Sequence, residues 1–280
     1  MMTAISTVST TPEGVTIEAR NRKFDLDNAL AVDWFADDPF LTAFFNALSI
    51  SFPTGEREFI DSIRHYEKSI SDEKLLSEIR GFYRQEGIHS REHRQYNRQL
   101  CSARGYDLAA LEGVYVAMLA KVKANPKVTP EIRLASTLAL EHFTAGLAEI
   151  LLDSDFLENA HPAVRELWLW HSLEEMEHKS VAHDVYVQIG GGYVMRKRIM
   201  RLAMLILFRN VLTVSLKLLH HDKQLWRWKT LKSAVWLFFG RTGLIRRYLS
   251  HHREFFREDF HPWNADTRDL LEYWKPRLSA

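Results

Sequence analysis

Trp170-His-Ser-Leu-Glu-Glu-Met-Glu-His178 lies inside a long helical pattern and contains a Glu-x-x-His pair, Glu175/His178. A second pair, Glu86/His89, lies in Gln85-Glu-Gly-Ile-His89, again within a long helical pattern. Residues three apart on a helix are separated by about 4.5 Å along the axis and about 60° around it, so each carboxylate and its imidazole can reach one point. Each pair also has a Glu in an earlier helical segment, Glu56 for the first and Glu141 for the second. One Glu from each of two helices and one Glu-x-x-His from each of two others is how a four-helix bundle builds a two-metal carboxylate site. The expected fold is therefore all-α, a ferritin-like four-helix bundle with additional C-terminal helices.

With 21 Glu and 13 His in 280 residues, random placement gives about one Glu-x-x-His, so a single pair would mean little. A third instance, Glu158/His161, runs directly into Pro162, where a helix starts rather than continues, and is set aside. The other two fall mid-helix and follow the order of the bundle. Four carboxylates partly neutralise two cations, and imidazole suits iron better than magnesium or calcium. The expected cofactor is a pair of iron ions (Fe/Fe), with Mn/Fe or Mn as alternatives.

The candidate ligands are Glu56, Glu86, His89, Glu141, His171, Glu175 and His178. His171 precedes Glu175 by one turn, and 171, 175 and 178 fall within about 60° of the helix circumference, so a third imidazole can enter. Glu141 stands inside the apolar stretch Leu134-Ala-Ser-Thr-Leu-Ala-Leu-Glu-His-Phe-Thr-Ala-Gly-Leu-Ala, and a buried Glu needs a partner. Pattern alone leaves the first ligand open between Glu56 and Glu58, because Pro53 and Gly55 place Glu56 in the first turn of a helix or just after a kink. His93 follows His89 by one turn and is expected beside the metals or in the pocket above them. Glu174, about 100° from Glu175, is expected to be a hydrogen-bonding or surface residue. His142 and His183 are rotated off the ligand faces and read as structural.

Helices are expected near 38–51, 54–70, 72–103, 106–125, 129–153, 162–189, 194–221, 229–239, 243–258 and 266–275, with Asp72, Thr129-Pro130 and His161-Pro162 as starts and Gly105, Gly190-Gly-Gly192 and Gly240 as stops. Residues 1–25 read as a mobile or extended N-terminal arm, 26–190 as the metal-binding bundle and 191–280 as a helical extension packed on it. A net charge of +1 gives no electrostatic case for nucleic acid. Cys101 is the single cysteine, so there is no intrachain disulfide framework, and the N-terminal stretch lacks a secretory pattern, so the expected location is the cytoplasm.

Residues 194–221 are apolar with periodic Arg and Lys, and their longest charge-free run is 7 residues. Five of the eight Trp lie between 226 and 274. Such helices can lie on a membrane surface, but packing on the bundle or in a homodimer interface is the preferred reading, with peripheral membrane contact the lesser one.

The chain resembles the bacterial family labelled predicted metal-dependent hydrolases through Phe52-Pro-Thr-Gly-Glu56, Gln85-Glu-Gly-Ile-His89 with His93, Leu140-Glu-His-Phe-Thr144 and Trp170 through Asp184. That resemblance carries a Glu directly after this Pro and Gly and so favours Glu56 over Glu58. The ligand order, with an extra His before the second pair, is also similar to p-aminobenzoate N-oxygenase type diiron proteins. This similarity implies a diiron carboxylate oxygenase that activates O2 to oxygenate an amine or an apolar small-molecule substrate. The family label implies the alternative, a dinuclear metal-dependent hydrolase, and a non-catalytic metal-binding role is the third reading. No nicotinamide or flavin fingerprint is apparent, so an oxygenase would take electrons from a separate donor.

Overall fold

The computed structural model describes residues 9–26 and 28–278, so the part of the expected mobile arm at 1–8 lies outside the described residues. The described residues form ten α-helices: α1 (Pro39–Arg64), α2 (Glu73–Arg104), α3 (Leu108–Ala124), α4 (Pro130–Leu152), α5 (Pro162–His178), α6 (Val181–Gln188), α7 (Tyr193–His221), α8 (Trp228–Phe239), α9 (Leu244–Glu254) and α10 (Arg268–Leu278). No strand forms among them beyond one isolated bridge between Phe35 and Ala160.

Local chemistry sets the helix ends. The Asp72 carboxylate accepts from the Leu75 amide at the start of α2, and Gly105 closes that helix in the left-handed region at φ 70°. The Thr129 hydroxyl accepts from the Ile132 amide before Pro130 opens α4. Four helices carry the core, with α1 against α2, α4 against α5, and α1 against α4. Phe45, Phe52 and Trp168 meet edge to face between them.

Two boundaries differ from the pattern. The expected break at Pro53 does not occur, and α1 runs through it. Proline cannot donate to the carbonyl four residues earlier. That carbonyl, on Ser49, instead accepts from Asn97 Nδ2 of α2 at 3.1 Å. The single helix expected over 162–189 is interrupted at Lys179 and Ser180. There the Ser180 hydroxyl meets Thr11 Oγ1 at 3.0 Å, and Lys179 Nζ reaches out to Thr267 and Ala265.

Helices α7 and α9 pack on α4, α7 and α8 on α1, and α10 on α5. The approach of α9 requires a residue without a side chain at Gly146, where a Cβ would fall 2.8 Å from the Tyr248 ring. The arm is extended as expected, but from Ser9 onward it is fastened rather than loose: Ser9, Thr11 and Arg20 are buried, and Ser9 Oγ donates to Glu78 at 2.6 Å.

Candidate metal centre

All seven candidate ligands converge in the middle of the bundle, and none is more than 4% exposed. Glu56 comes from α1, Glu86 and His89 from α2, Glu141 from α4, and His171, Glu175 and His178 from α5. Their ligand atoms fall into overlapping groups within 4.8 Å: Glu86, Glu141 and His178; Glu56, Glu86 and His89; His89, His171 and Glu175; and Glu56, His93 and His171. Glu86 belongs to the first two groups, and Glu175 lies 3.5 Å from His178 and 2.9 Å from His171. His178 Nε2 lies 3.2 Å from Glu86, 3.4 Å from Glu141 and 3.5 Å from Glu175.

The decisive observation is what these groups lack. Both oxygens of Glu56, Glu86 and Glu141, together with His89 Nδ1 and His178 Nε2, are buried with no partner in hydrogen-bonding geometry. Buried polar atoms are paired in nearly all folded proteins, and eight orphans around one point fit cations coordinated by them. Glu58 is excluded from the cluster, since it turns outward to Arg133 at 2.5 Å and Lys123 at 2.8 Å.

A second layer points the imidazoles. His178 Nδ1 donates to Gln85 Oε1 at 2.8 Å, so Nε2 faces the carboxylates and is the nitrogen whose lone pair is bared when the ring is neutral. His89 Nε2 donates to Glu174 Oε2 at 3.0 Å and leaves Nδ1 free. Glu174 is therefore the hydrogen-bonding residue of the two expectations and not a surface one, being fully buried. Such partners fix tautomer and ring orientation at metal sites. A longer chain fixes His171. Asn97 Nδ2 donates to the Ser49 carbonyl, so its Oδ1 accepts from Ser49 Oγ at 2.8 Å. Ser49 Oγ then accepts from His93 Nδ1 at 2.9 Å, and His93 Nε2 accepts from His171 Nδ1 at 2.7 Å. In the neutral ring His171 Nε2 carries a lone pair 2.9 Å from the Glu175 carboxylate, so a proton or a metal ion must lie between them. His93 thus stands behind His171 as its acceptor. His142 is structural, its Nε2 donating to the His251 carbonyl at 2.7 Å, and His183 bonds Asp184 away from the cluster.

Sequence reasoning missed Arg20, Gln85 and Glu177. Arg20 donates from its backbone amide to Glu174 at 2.7 Å and from its guanidinium to Glu177 at 2.8 and 3.1 Å, while Gln85 Nε2 donates to Glu177 at 2.7 Å. Two buried Glu on the outer side of a ligand helix were the signal that a cation must lie opposite.

Electrostatics match the crowding. Burial, then the charges of Glu175 and Glu141, hold Glu56 well above the usual carboxylate range. Burial, then Glu141 and Glu175, does the same for Glu86. Burial pushes both Glu141 and Glu174 up to about 7. For His178 burial opposes the charge, yet the nearby Glu175 and Glu141 carboxylates hold it well above its usual value. Burial would raise Glu175, but His178 and His171 hold it well below. The sign for metal-free protein follows. A carboxyl raised when folded keeps a proton that the unfolded chain has released, so its contribution to stability falls as pH rises above about 4.5, through about 7 for Glu141 and Glu174. Burial holds His89, His93, His142 and His183 below their usual value, which opposes that fall up to about pH 6.5, so the net decline is read above it. His178 acts in the same direction above its unfolded value. Calorimetric melting from about pH 6.5 to 8 in chelator should show this decline, and metal-loaded protein, whose ligands are already ionised, should not. A metal-free melting temperature that climbs across this window would contradict the assignment.

A cavity of about 160 Å³ reaches the cluster between α1, α3, α4 and α7. Glu56, Thr144, Glu58, Arg133 and Asn210 are among its polar lining, and Phe52, Phe59, Leu140, Phe143, Met118 and Leu207 are among its apolar walls. Thr144 Oγ1 donates to Glu175 at 2.5 Å, which links the cavity wall to a ligand.

A model of the family described as predicted metal-dependent hydrolase matches residues 18–266. No curated protein and no solved structure matches the chain.

Proposed function

The chain belongs to the family of predicted metal-dependent hydrolases, and on that premise we propose that its buried cluster holds two metal ions, iron foremost, and serves O2-dependent oxygenation of an apolar small molecule. The eight unpartnered buried atoms carry the metal reading. A donor set of four carboxylates and three imidazoles suits iron, with manganese as the alternative. Bound iron would supply the redox chemistry, and the electrons would come from a separate donor. This chain's residues do the rest. Glu56, Glu86, His89, Glu141, His171, Glu175 and His178 would hold the ions, while Gln85, Glu174 and His93 orient the imidazoles.

The cavity favours an apolar substrate. Its volume of about 160 Å³ is close to that of an engineered cavity that stays dry and takes up benzene. Two of its hydroxyls are spent on helix carbonyls, Ser51 on Leu48 and Ser136 on Ile132, which leaves them no free proton for a leaving group. Hydrolysis is the second reading, favoured by the family's description. There a metal pair would lower the pKa of a bound water.

The test is elemental analysis of protein from iron-replete cells, with an optical spectrum after reduction and exposure to O2. Two irons per chain and an O2-dependent visible change support oxygenation. Zinc in stoichiometric amount, with no response to O2, transfers the site to hydrolysis, and protein that holds no metal ends both readings. Ala203, on the cavity wall, supplies a companion variant. Ala203→Phe should keep the metal content yet abolish the rise in melting temperature that benzene gives the parent; equal responses would remove the cavity as the substrate site.

A further inference from the structure

The near-neutral net charge conceals a strong separation. Residues 193–257 carry fifteen Lys and Arg against two acids, Asp222 and Glu254, so with +1 for the whole chain the remainder is net −12. Of those fifteen cations, Arg257 alone pairs with a carboxylate among the described residues, Asp259 at 2.9 Å. The same segment holds most of the large apolar side chains that the described residues leave in water. Trp226 is 83% exposed, Phe239 79%, Trp228 78%, Leu205 67% and Val235 60%.

Both properties extend over the outward sides of α7 and α8, although Arg196 is buried and five of the cations lie beyond α8. On α7, Val194, Arg198, Arg201, Leu202, Leu205, Arg209, Leu216 and Lys217 recur at helical spacing as the exposed stripe, while Val211, Val214, Ser215 and Leu218 are buried. On α8, Trp228, Leu231, Lys232, Val235 and Phe239 form the exposed stripe, flanked by Arg227 and Lys229. Helix α7 is long and apolar enough by length and composition to cross a membrane, but its inner side is committed to α1 and α4.

We propose that the outer surface of α7 and α8 docks peripherally on a lipid bilayer containing anionic lipids, with Trp226, Trp228 and Phe239 entering the headgroup boundary. Monomeric proteins rarely leave so many large apolar side chains in water along neighbouring segments of the chain. Aromatic and aliphatic groups among unpaired Lys and Arg are what an interfacial helix presents to acidic headgroups. Charge argues against a second copy of the chain, because a symmetric pairing would set two strongly positive faces together. Nucleic acid would match the charge but leave Leu205, Val235 and Phe239 in water. Docking stands independently of the metal reading, though it bears on substrate delivery. Ala203, Ile206 and Leu207 of α7 line the cavity, while Leu202 and Leu205 of the same helix face outward. A docked bilayer would therefore lie about one helix diameter, ~10 Å, from the cavity.

The test is sedimentation of metal-loaded full-length protein with vesicles of phosphatidylcholine alone or mixed with phosphatidylserine, with tryptophan emission recorded alongside. Expected are roughly tenfold or greater preference for the anionic vesicles, loss of binding in high salt and a blue shift of emission on binding. The combined Trp226→Ala, Trp228→Ala and Phe239→Ala variant should bind at least roughly tenfold more weakly with an unchanged melting temperature, as should the Lys229→Glu, Lys232→Glu pair. Equal binding to both vesicles, no binding to either, or a concentration-dependent dimer that shields the tryptophans would overturn the proposal.

Discussion

Glu86→Gln should make the metal-free protein more stable at neutral pH while costing it the metal pair. The Glu86 side chain is fully buried, neither oxygen has a hydrogen-bond partner, and burial together with Glu141 and Glu175 keeps it protonated well above the usual carboxylate range. Holding that proton at pH 7 costs folding free energy, because the unfolded chain has released it; an always-neutral Gln escapes the cost. The gain at pH 7 is capped at roughly 3 kcal/mol by the distance from the ordinary carboxylate value, and it should shrink toward zero near pH 4.5, since there the unfolded Glu is protonated as well. At roughly 2–4 °C per kcal/mol for a chain of this size, the metal-free melting temperature should rise by several degrees. Metal reverses the order. Ligands that bind only the folded state stabilise it the more, the tighter they bind, and Gln would bring no charge to ions held by this cluster. Elemental analysis should then find fewer than two ions per chain, with a smaller rise in melting temperature on metal addition than in the parent. Two retained ions, or a metal-free variant that melts below the parent at pH 7, would remove Glu86 from the site.

Glu141 within its Leu- and Ala-rich run, and the spacing of the two Glu-x-x-His pairs, made the candidate site legible, and the all-helical fold follows from their order. What stayed hidden rests on contacts far apart in sequence. Glu56 and Glu58 differ by about 200° around α1, yet the arrangement of 51–58 was open until α1 was seen to pass through Pro53, and the residue that lets it pass, Asn97, lies on another helix. Likewise, no local pattern says that Arg20 meets Glu174, 154 positions later. The role of His93 depended on proton directions that run through Ser49 and Asn97, which spacing cannot supply.

Arg20 is where that long-range assembly is most exposed to test. From the arm it pairs with Glu177, which accepts from Gln85, whose own oxygen holds His178 Nδ1; through its backbone amide it also holds Glu174, the acceptor for His89. One residue outside the bundle thus braces an imidazole from each Glu-x-x-His pair. Arg20→Ala removes a buried cation and leaves two buried carboxylates facing each other across its space, with Lys275 at 3.2 Å from Glu177 as a partial substitute. Breaking a buried pair from one side costs about 3–5 kcal/mol, and loss of outer partners lowers metal affinity roughly 10–100-fold. Arg20→Lys separates the two effects, because it restores charge without the planar fork that spans both Glu177 oxygens. Stability should return in part while metal affinity, measured by competition with a chelator, stays well below the parent. An alanine variant that melts early but binds metal as tightly as the parent would show that Gln85 and Glu174 hold the imidazoles without the arm. Loss of both properties, with only stability recovered by lysine, would place the arm among the parts that build the metal centre.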